Sequence, residues 1–308
     1  MRPTFRPTRL STRTPWLGAA LLATLPAGVM AQDADPSEEI AERRPARVSI
    51  TLGASASYRF ESDFDSGSSD VSIARVGADA EAGFLVGDRS RLALSFGTEH
   101  SFYDFSPMGV LVPGGVDPFD TIHDYTMGAR FTTRINDSWS ALLGAGVQSS
   151  GESSADFDDT LTYNGLVGAS YQVNEKLSIG AAIVISSRLE DDVVVIPVPT
   201  ITWNIDDRWR LESKGAGLLL SYKASDDLRV GLQGAFERRE FRLDDMGPLP
   251  SGVIRERRVP VGLWTRWTPA PNISIEGTLG ADVYVEFESL NSSGVKFAED
   301  ETDPAVYA

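Results

Sequence analysis

Two histidines, His100 and His123, are the side chains best suited to acid–base chemistry near neutral pH. A hydrolytic site would hold one of them within hydrogen-bond reach of a serine or an acidic partner. His123 precedes Asp124, but no recognisable signature surrounds either histidine. We interpret both as rim residues and predict that the chain has no catalytic residues and is not an enzyme. A hydrolase that uses either histidine is the third alternative.

Two groups of carboxylates are candidate Ca²⁺ ligands, because hard cations prefer oxygen. They are Glu61-x-Asp63-x-Asp65 with Gly67, and Asp156-x-Asp158-Asp159. The first group lacks the glycine position and the distal glutamate of an EF-hand loop. Cysteine is absent, which excludes disulfides, thiolate ligands and cysteine nucleophiles. We interpret both groups as solvated loops and predict no metal site and no cofactor.

Arginine and glutamate alternate along one predicted hairpin, where they could form ion pairs or bind anionic groups. Successive side chains of a strand point to opposite faces, so these residues divide into two sets. The set predicted to face inward is Glu237, Arg239, Glu256 and Arg258, and the outward set is Arg238, Glu240, Arg255 and Arg257. The outward arginines could bind lipid head groups. We favour a cross-strand ladder of ion pairs at a solvated rim.

The elements that position these residues alternate between apolar and polar positions from Val48 almost to the C-terminus. The first segment does so from Arg47 to Phe60, whereas strands of soluble proteins usually end after about 5 or 6 residues. A tilted strand that crosses a bilayer needs about 9 to 11. No long apolar helix follows the N-terminal region, and a closed barrel is the other way to span a membrane. The sequence predicts an all-β fold, a transmembrane antiparallel up-and-down β-barrel of about 12 strands, with a range of 12 to 14.

Thirteen segments are strand candidates. Bacterial barrels close with an even number of strands, so this count is one strand too many or one too few. The short pair around Lys214 could lie partly outside the bilayer, or a weak final strand could follow from Val295. Short polar turns alternate with longer loops, as in outer-membrane barrels. The loop Ser106–Phe119 is unusually apolar. It could fold inward as a constriction or form a contact surface.

Aromatic side chains on the predicted outward face lie near the two ends of the strands. Two such belts are typical of proteins that meet both interfaces of a bilayer. The predicted lipid-interface aromatics are Tyr58, Phe60, Phe84, Phe102, Tyr125, Trp139, Tyr163, Tyr171, Trp203, Trp209, Tyr222, Phe236, Trp267 and Phe287. We therefore expect outer-membrane lipid to be a partner of the chain.

The inward face is rich in serine, threonine and glycine, which would leave a lumen of this size unfilled. The charged side chains predicted to line that lumen are Arg59, Arg75, Asp79, Glu81, Glu99, Arg130, Arg134, Glu237, Arg239, Glu256 and Arg258. We predict a passive pore or uptake channel for small solutes. The alternative is a non-conducting structural or adhesion barrel that binds a partner through its external loops.

The N-terminal region resembles an export signal. Four arginines precede a mostly apolar run from Trp16 to Met30, and Val29-Met30-Ala31 matches a signal-peptidase site. We predict a signal peptide over 1–31, an acidic periplasmic tail over 32–46, the barrel over 47–288 and a C-terminal segment over 289–308 as the candidate closing strand. A short plug helix is the minority alternative for the tail. Removal of the signal leaves 24 basic and 44 acidic residues, a formal charge of −20, which argues against nucleic acid as a partner.

Three stretches resemble a known group of proteins. They are Val198-Pro199-Thr200-Ile201-Thr202-Trp203-Asn204-Ile205-Asp206-Asp207-Arg208-Trp209, the strand Leu218–Tyr222, and Asp303-Pro304-Ala305. In these stretches the chain resembles bacterial outer-membrane barrel domains of unknown function. The resemblance extends from Val48 to the C-terminus and implies an exported outer-membrane barrel. It supplies no activity and no catalytic residues. A usual barrel ends its last strand in an aromatic residue, whereas this chain places Glu299 to Asp303 just before Ala305-Val306-Tyr307-Ala308.

Overall fold

The computed structural model describes residues 48–67, 69–106, 111–114 and 116–308, so the predicted signal peptide and acidic tail lie outside the described residues. Apart from one short 3₁₀ turn at Phe157–Thr160, the regular structure of this part is entirely β. The strands are β1 Val48–Asp63, β2 Asp70–Val86, β3 Ser90–Ser106, β4 Thr121–Arg134, β5 Trp139–Gly151, β6 Leu161–Asn174, β7 Leu177–Arg188, β8 Asp191–Asn204, β9 Trp209–Lys214, β10 Gly217–Lys223, β11 Leu228–Ala235, β12 Glu237–Arg242, β13 Val253–Ala270, β14 Ile273–Leu290, β15 Lys296–Thr302 and β16 Ala305–Tyr307.

The sixteen segments of the described chain form a closed antiparallel barrel of fourteen strands. Segments β11 and β12 both pair with β13 and together make one barrel strand. Likewise, β15 and β16 both pair with β14 and make the last one. Fourteen is the upper end of the predicted range. The short pair around Lys214 contributes two strands, and the segment after Val295 supplies the final strand, so the barrel extends to Tyr307 and not only to residue 288.

The last strand closes the barrel only through its C-terminal part, which pairs with β1. Tyr307 pairs with Gly280 of β14 and Arg59 of β1, and Thr302 makes a bridge to Phe64. The other halves of β1 and β14, from Val48 and from Ile273, pair within 48–308 only with β2 and β13. We call the end that carries Phe64 the loop side and the opposite end the turn side.

On the turn side, side-chain oxygens stabilise the turns by accepting hydrogen bonds from backbone amides. Asn136, Asn174 and Asp206 each accept a hydrogen bond from the amide three residues later, at 2.8–3.0 Å. The amides of Trp209 and Arg208 lower the pKa of the Asp206 carboxyl because they stabilise its charged form. These tight connections hold neighbouring strands in register.

The outer wall of the barrel is apolar and exposed. Ile50 and Leu52 are 72% and 78% exposed, and Leu143 in the middle of β5 is 59% exposed. A wall of this kind is stable only against lipid, since water would not solvate it. Within the described residues, no helix is long and apolar enough to cross a bilayer.

Thirteen of the fourteen predicted interface aromatics are exposed or half-buried, whereas the prediction for Phe287 is wrong. Phe287 is fully buried, and its ring centroid lies 5.7 Å from that of Phe64. The cause is an irregularity in the pairing of β13 with β14, between Arg258 and Pro260. One extra residue in β14 reverses the alternation, so the residues from Val285 onward point to the opposite face.

The hairpin β9–β10 is only half as tall as its neighbours and leaves β8 and β12 without a partner between them on the loop side. β8 pairs with β9 only over Thr202–Asn204. On the loop side β12 instead reaches β5, where Arg242 pairs with Gly151 in parallel. The turn between β7 and β8 covers the outside of β13, because Leu189 packs with Val253 and Leu290.

An arginine on the outer wall tests the contact with lipid. Leu143→Arg should destabilise the barrel in a bilayer by about 2–4 kcal/mol, as expected for a charge near the midplane. Ser55→Arg is the matched control, since Ser55 faces the lumen and is exposed there, and it should change the free energy of unfolding far less. Urea unfolding in lipid vesicles measures both. Equal effects would mean that lipid does not cover Leu143.

Candidate functional site

The loop side of the lumen contains a hydrophobic cluster that we call the loop-side core. Its members come from the inward faces of six barrel segments and from the three loops that follow β1, β3 and β12. They are Phe64, Val71, Ile73, Tyr103, Phe105, Leu111, Val112, Phe119, Ile122, Phe241, Leu243, Leu249, Ile254, Val285 and Phe287. None of them is more than 7% exposed. Side chains therefore fill the lumen at this end, where the sequence analysis expected water.

The apolar loop after β3 folds inward. Leu111 is 0% exposed and Val112 and Phe119 are 4% exposed. The ring of Phe119 contacts both Tyr103 and Phe241, with centroids 4.8 Å apart in each case. These three residues fold inward, as the constriction alternative predicted. Residues 107–110 and 115 lie outside the described residues.

Below the loop-side core, charged side chains form what we call the ionic belt: Arg59, Arg75, Glu99, Asp124, Glu237, Arg239, Glu256, Arg258 and Asp282. At its centre Arg75 of β2 donates to both carboxylate oxygens of Glu256 on β13, at 2.9 and 2.8 Å. Tyr103 donates to the same carboxylate at 2.8 Å. Two N–H groups and a hydroxyl thus compensate a carboxylate that is 0% exposed.

A second part of the belt lies where the barrel closes. Arg59 of β1 donates to Thr302 at 2.6 Å and lies 3.5 Å from Asp282. Arg258 lies 3.8 Å from the same carboxylate and donates to Glu237 at 2.6 Å. These contacts connect β1, β12, β13, β14 and β15 from the inside.

Arg239 completes the belt by bridging distant parts of the wall. It extends from β12 to Asp124 on β4 at 2.7 Å and to Glu99 on β3 at 2.6 Å. In the continuous strand order β12 and β4 are far apart, but the pairing of β12 with β5 on the loop side leaves only β5 between them. Arg75 and Arg239, with their acidic partners, therefore join segments that are not paired with each other in the sheet.

The turn side of the lumen is different, because its lining is small and partly exposed. Serine, threonine and glycine dominate β1 to β5 there, and Glu81 pairs with Arg91 at 3.4 Å and with Arg130 at 3.3 Å. Asp79 occupies the space beside Gly53, where a Cβ would lie 2.3 Å from its carboxylate. Arg134 lies exposed near the rim. This vestibule is the part of the lumen that the sequence analysis described.

An apolar inner patch on β5 to β8 was missed. Leu166, Ala182, Val184, Ile196 and Val198 form a buried cluster, supported by Leu142 and Val194. All lie on the same parity as the small inward residues of their strands. The continuous apolar run of β8, which is apolar on both faces, was the available signal, since alternation fails where both faces are covered.

The outward arginines form ion pairs between strands, but their surface is covered and is not the solvated rim that we expected. Arg257 pairs with Glu286, and Arg255 pairs with Glu288 at 3.3 Å and with Glu240 at 3.1 Å. The β7–β8 turn covers part of this ladder, since Asp191 lies 3.1 Å from Arg255. Arg238 and Arg255 are accordingly only 8% and 5% exposed.

The two histidines lie on the outward face at the loop-side rim. They pair across β3 and β4, and their Nδ1 atoms are 2.5 Å apart. Ser153, in the loop after β5, lies 2.6 Å from Nε2 of His123. Among the described residues no group of three or more His, Cys, Asp or Glu side chains is arranged to hold a metal ion.

Fold and lumen together define a transmembrane β-barrel whose loop side is filled by its own side chains. By its sequence the chain belongs to the family described as Domain of unknown function (DUF6268), whose model matches residues 118–306, more than half of the chain. No curated protein matches it.

Several solved outer-membrane barrels are similar in structure over most of their length. The translocator domain of autotransporter NalP from Neisseria meningitidis is 9% identical, with 84% of this chain and 86% of that chain covered and a TM-score of 0.30. The TodX monoaromatic hydrocarbon channel deltaS2 mutant is 9% identical, with 86% and 90% covered and a TM-score of 0.36. The NanC porin is 8% identical, with 82% and 98% covered and a TM-score of 0.27.

Removal of one partner from the ionic belt should be costly. Glu256→Met leaves Arg75 buried without its acid, and we expect a loss of about 3–5 kcal/mol in the free energy of unfolding. The double variant Arg75→Met with Glu256→Met should recover much of that loss. Asp226→Ala, which breaks the exposed pair with Lys223 at 3.0 Å, should have little effect. Denaturant titration in vesicles measures the free energy of unfolding of each variant. A Glu256→Met barrel as stable as wild type would contradict the stabilising role of the ionic belt.

Proposed function

We propose that the chain is an outer-membrane barrel that is closed to passive solute flow and that acts through its loop-side surface and outer wall. The observation that carries this proposal is the filled loop side of the lumen, with Leu111 and Val112 inserted among residues of β2, β3, β12 and β13. An open pore needs hydrated side chains along its whole length, and this region offers buried aromatic rings instead.

The energetics of the ionic belt support a permanently closed state. Opening the lumen would separate Arg75 of β2 from Glu256 of β13. Truncation of one partner of such a buried pair is destabilising by about 3–5 kcal/mol, and opening would also expose the loop-side core. A resting barrel with these contacts has little tendency to open spontaneously.

Export by a cleaved signal peptide is the proposed route to the outer membrane. In that arrangement the turn side faces the periplasm and the loop side faces outward, as the lengths of the connections favour. Lipid is then the partner of the apolar wall, and the loop-side surface is available to a partner outside the cell.

A small-solute channel is the second candidate. The small and polar lining of the turn-side vestibule favours it, since that half would admit water. Displacement of the segment around Leu111 would be needed to continue the path. In this second case the segment would be a gate.

Conductance in planar bilayers distinguishes the two candidates. We expect wild-type protein to give no stepwise conductance. A triple variant, Leu111→Ser, Val112→Ser and Phe119→Ser, should also stay closed, because the pair of Arg75 and Glu256 still occupies the lumen. Val116→Ser is the matched control in the same loop, since Val116 is 49% exposed.

Stepwise conductance of the wild-type protein would refute the closed barrel. Conductance of the triple variant alone, with Val116→Ser silent, would favour the gated channel. Heat-modified mobility in gels shows whether each variant has formed its barrel before it is measured.

A further inference from the structure

Three side chains on the outer wall form a hydrogen-bonded series. The Oγ of Ser153 lies 2.6 Å from Nε2 of His123, and Nδ1 of His123 lies 2.5 Å from Nδ1 of His100. The order of these groups is nucleophile, base and orienting group, each within hydrogen-bond reach of the next. Pairing of β3 with β4 does not require such contacts, because the ladder is made by backbone groups.

We propose that Ser153, His123 and His100 form a serine hydrolase site on the outer wall of the barrel, and that it takes carboxyl esters of membrane lipids. The proposal is independent of whether the lumen is closed. It runs against the sequence-based prediction that the chain is not an enzyme.

The tautomers that these contacts require are mutually consistent. To accept the hydroxyl proton of Ser153, His123 must be unprotonated on Nε2, so its proton is on Nδ1. That N–H donates to Nδ1 of His100, which then carries its own proton on Nε2. His100 thereby holds His123 in the tautomer of a general base, as the third member of a catalytic triad does. It is a positioning residue.

The chemistry is ester hydrolysis in two steps. Ser153 Oγ attacks the carbonyl carbon as its proton passes to Nε2 of His123. The bond to the alcohol breaks, His123 returns the proton to the leaving oxygen, and the acyl group stays on Ser153. Water then attacks the acyl group and loses a proton to His123, and this proton returns to Ser153 as the fatty acid leaves. Ester and water thus give a carboxylic acid and an alcohol.

The position of the site indicates the source of the ester. The three residues line a pocket of about 360 Å³ together with Tyr125, Ala155 and Phe157. Tyr125 and Phe157 are 45% and 62% exposed, and Tyr125 belongs to the outward aromatic belt. Such belts lie at the head-group level of a bilayer, where the ester groups of phospholipids are found. An apolar wall beside the nucleophile suits an acyl chain.

The chain on both sides of Ser153 is fixed. The Glu152 amide donates to the Arg242 carbonyl at 3.0 Å, and the Glu152 carboxylate accepts from the Asp244 amide at 2.7 Å. Ser154 donates to the Asp244 carboxylate at 3.0 Å. Strand β12 and its loop therefore hold the exposed turn that carries Ser153, as a nucleophile requires.

A covalent probe and a lipid substrate test the proposal on the full chain. Wild-type barrel in mixed phosphatidylethanolamine and phosphatidylglycerol vesicles should release fatty acid and should be labelled by a fluorescent fluorophosphonate, with the label on Ser153 by mass spectrometry. Ser153→Ala and His123→Gln should each lower the hydrolysis rate by about 10³-fold or more. Ser293→Ala is the control, because Ser293 is an exposed serine of another loop-side turn.

His100 needs its own readout. His100→Leu should lower kcat by about 10²- to 10⁴-fold, and His100→Asp should restore most of the rate because a carboxylate also accepts from Nδ1–H. A merely structural role would not be rescued in this way.

Folded wild-type barrel that neither reacts with the probe nor releases fatty acid would overturn the proposal. Hydrolysis that survives in Ser153→Ala would overturn it as well, and loss of that residual activity with EDTA would assign the chemistry to a bound metal.

Discussion

The structure depends on one constraint: every backbone N–H and C=O in the hydrocarbon layer must be paired, because lipid offers no partner. An antiparallel ladder satisfies this wherever it closes, which in residues 48–308 is everywhere but the turn-side halves of β1 and β14, and it forces successive side chains to opposite sides of the wall. Residues such as Ile50 and Leu52 can then lie in lipid only if Ser49 and Thr51 lie in the lumen. All polar chemistry of the spanning strands is thereby confined to the inside of the barrel or to its rims.

Charges that are confined to a filled lumen must be paired there, and this explains the order of layers along the barrel. At the loop side, aromatic rings and the residues around Leu111 exclude water. Among the charges just below them, Glu256 is fully buried, and it accepts three hydrogen bonds from Arg75 and Tyr103. Toward the turn side, Arg91 is 42% exposed, and its contact with Glu81 at 3.4 Å is correspondingly loose.

Period-two alternation was enough to predict the barrel, its orientation of faces and the inward set Glu237, Arg239, Glu256 and Arg258. It could not predict Phe287, because one inserted residue in β14 reverses the parity and leaves no trace in composition. Nor could it predict the ion pair of Arg239 with Asp124, because a contact between segments that are distant in sequence depends on how the wall folds in three dimensions. Ser153 was missed for a related reason: it lies in a loop, where alternation carries no information, and 30 residues separate it from His123.

The half-height hairpin β9–β10 affects both the filling of the lumen and the geometry around His123 at the loop-side rim. Without a full-height neighbour, β12 bends toward β5 and pairs Arg242 with Gly151. A glycine is needed at that point, since a Cβ on residue 151 would lie 3.0 Å from the Arg242 carbonyl and 2.9 Å from Thr160. The same bend carries Arg239 and Phe241 into the lumen, where they complete the ionic belt and the loop-side core. On the outside it brings Asp244 to Glu152 and so fixes the turn beside His123. One local shortening of the wall therefore accounts both for the side chains of β12 that fill the loop side of the lumen and for the placement of Ser153.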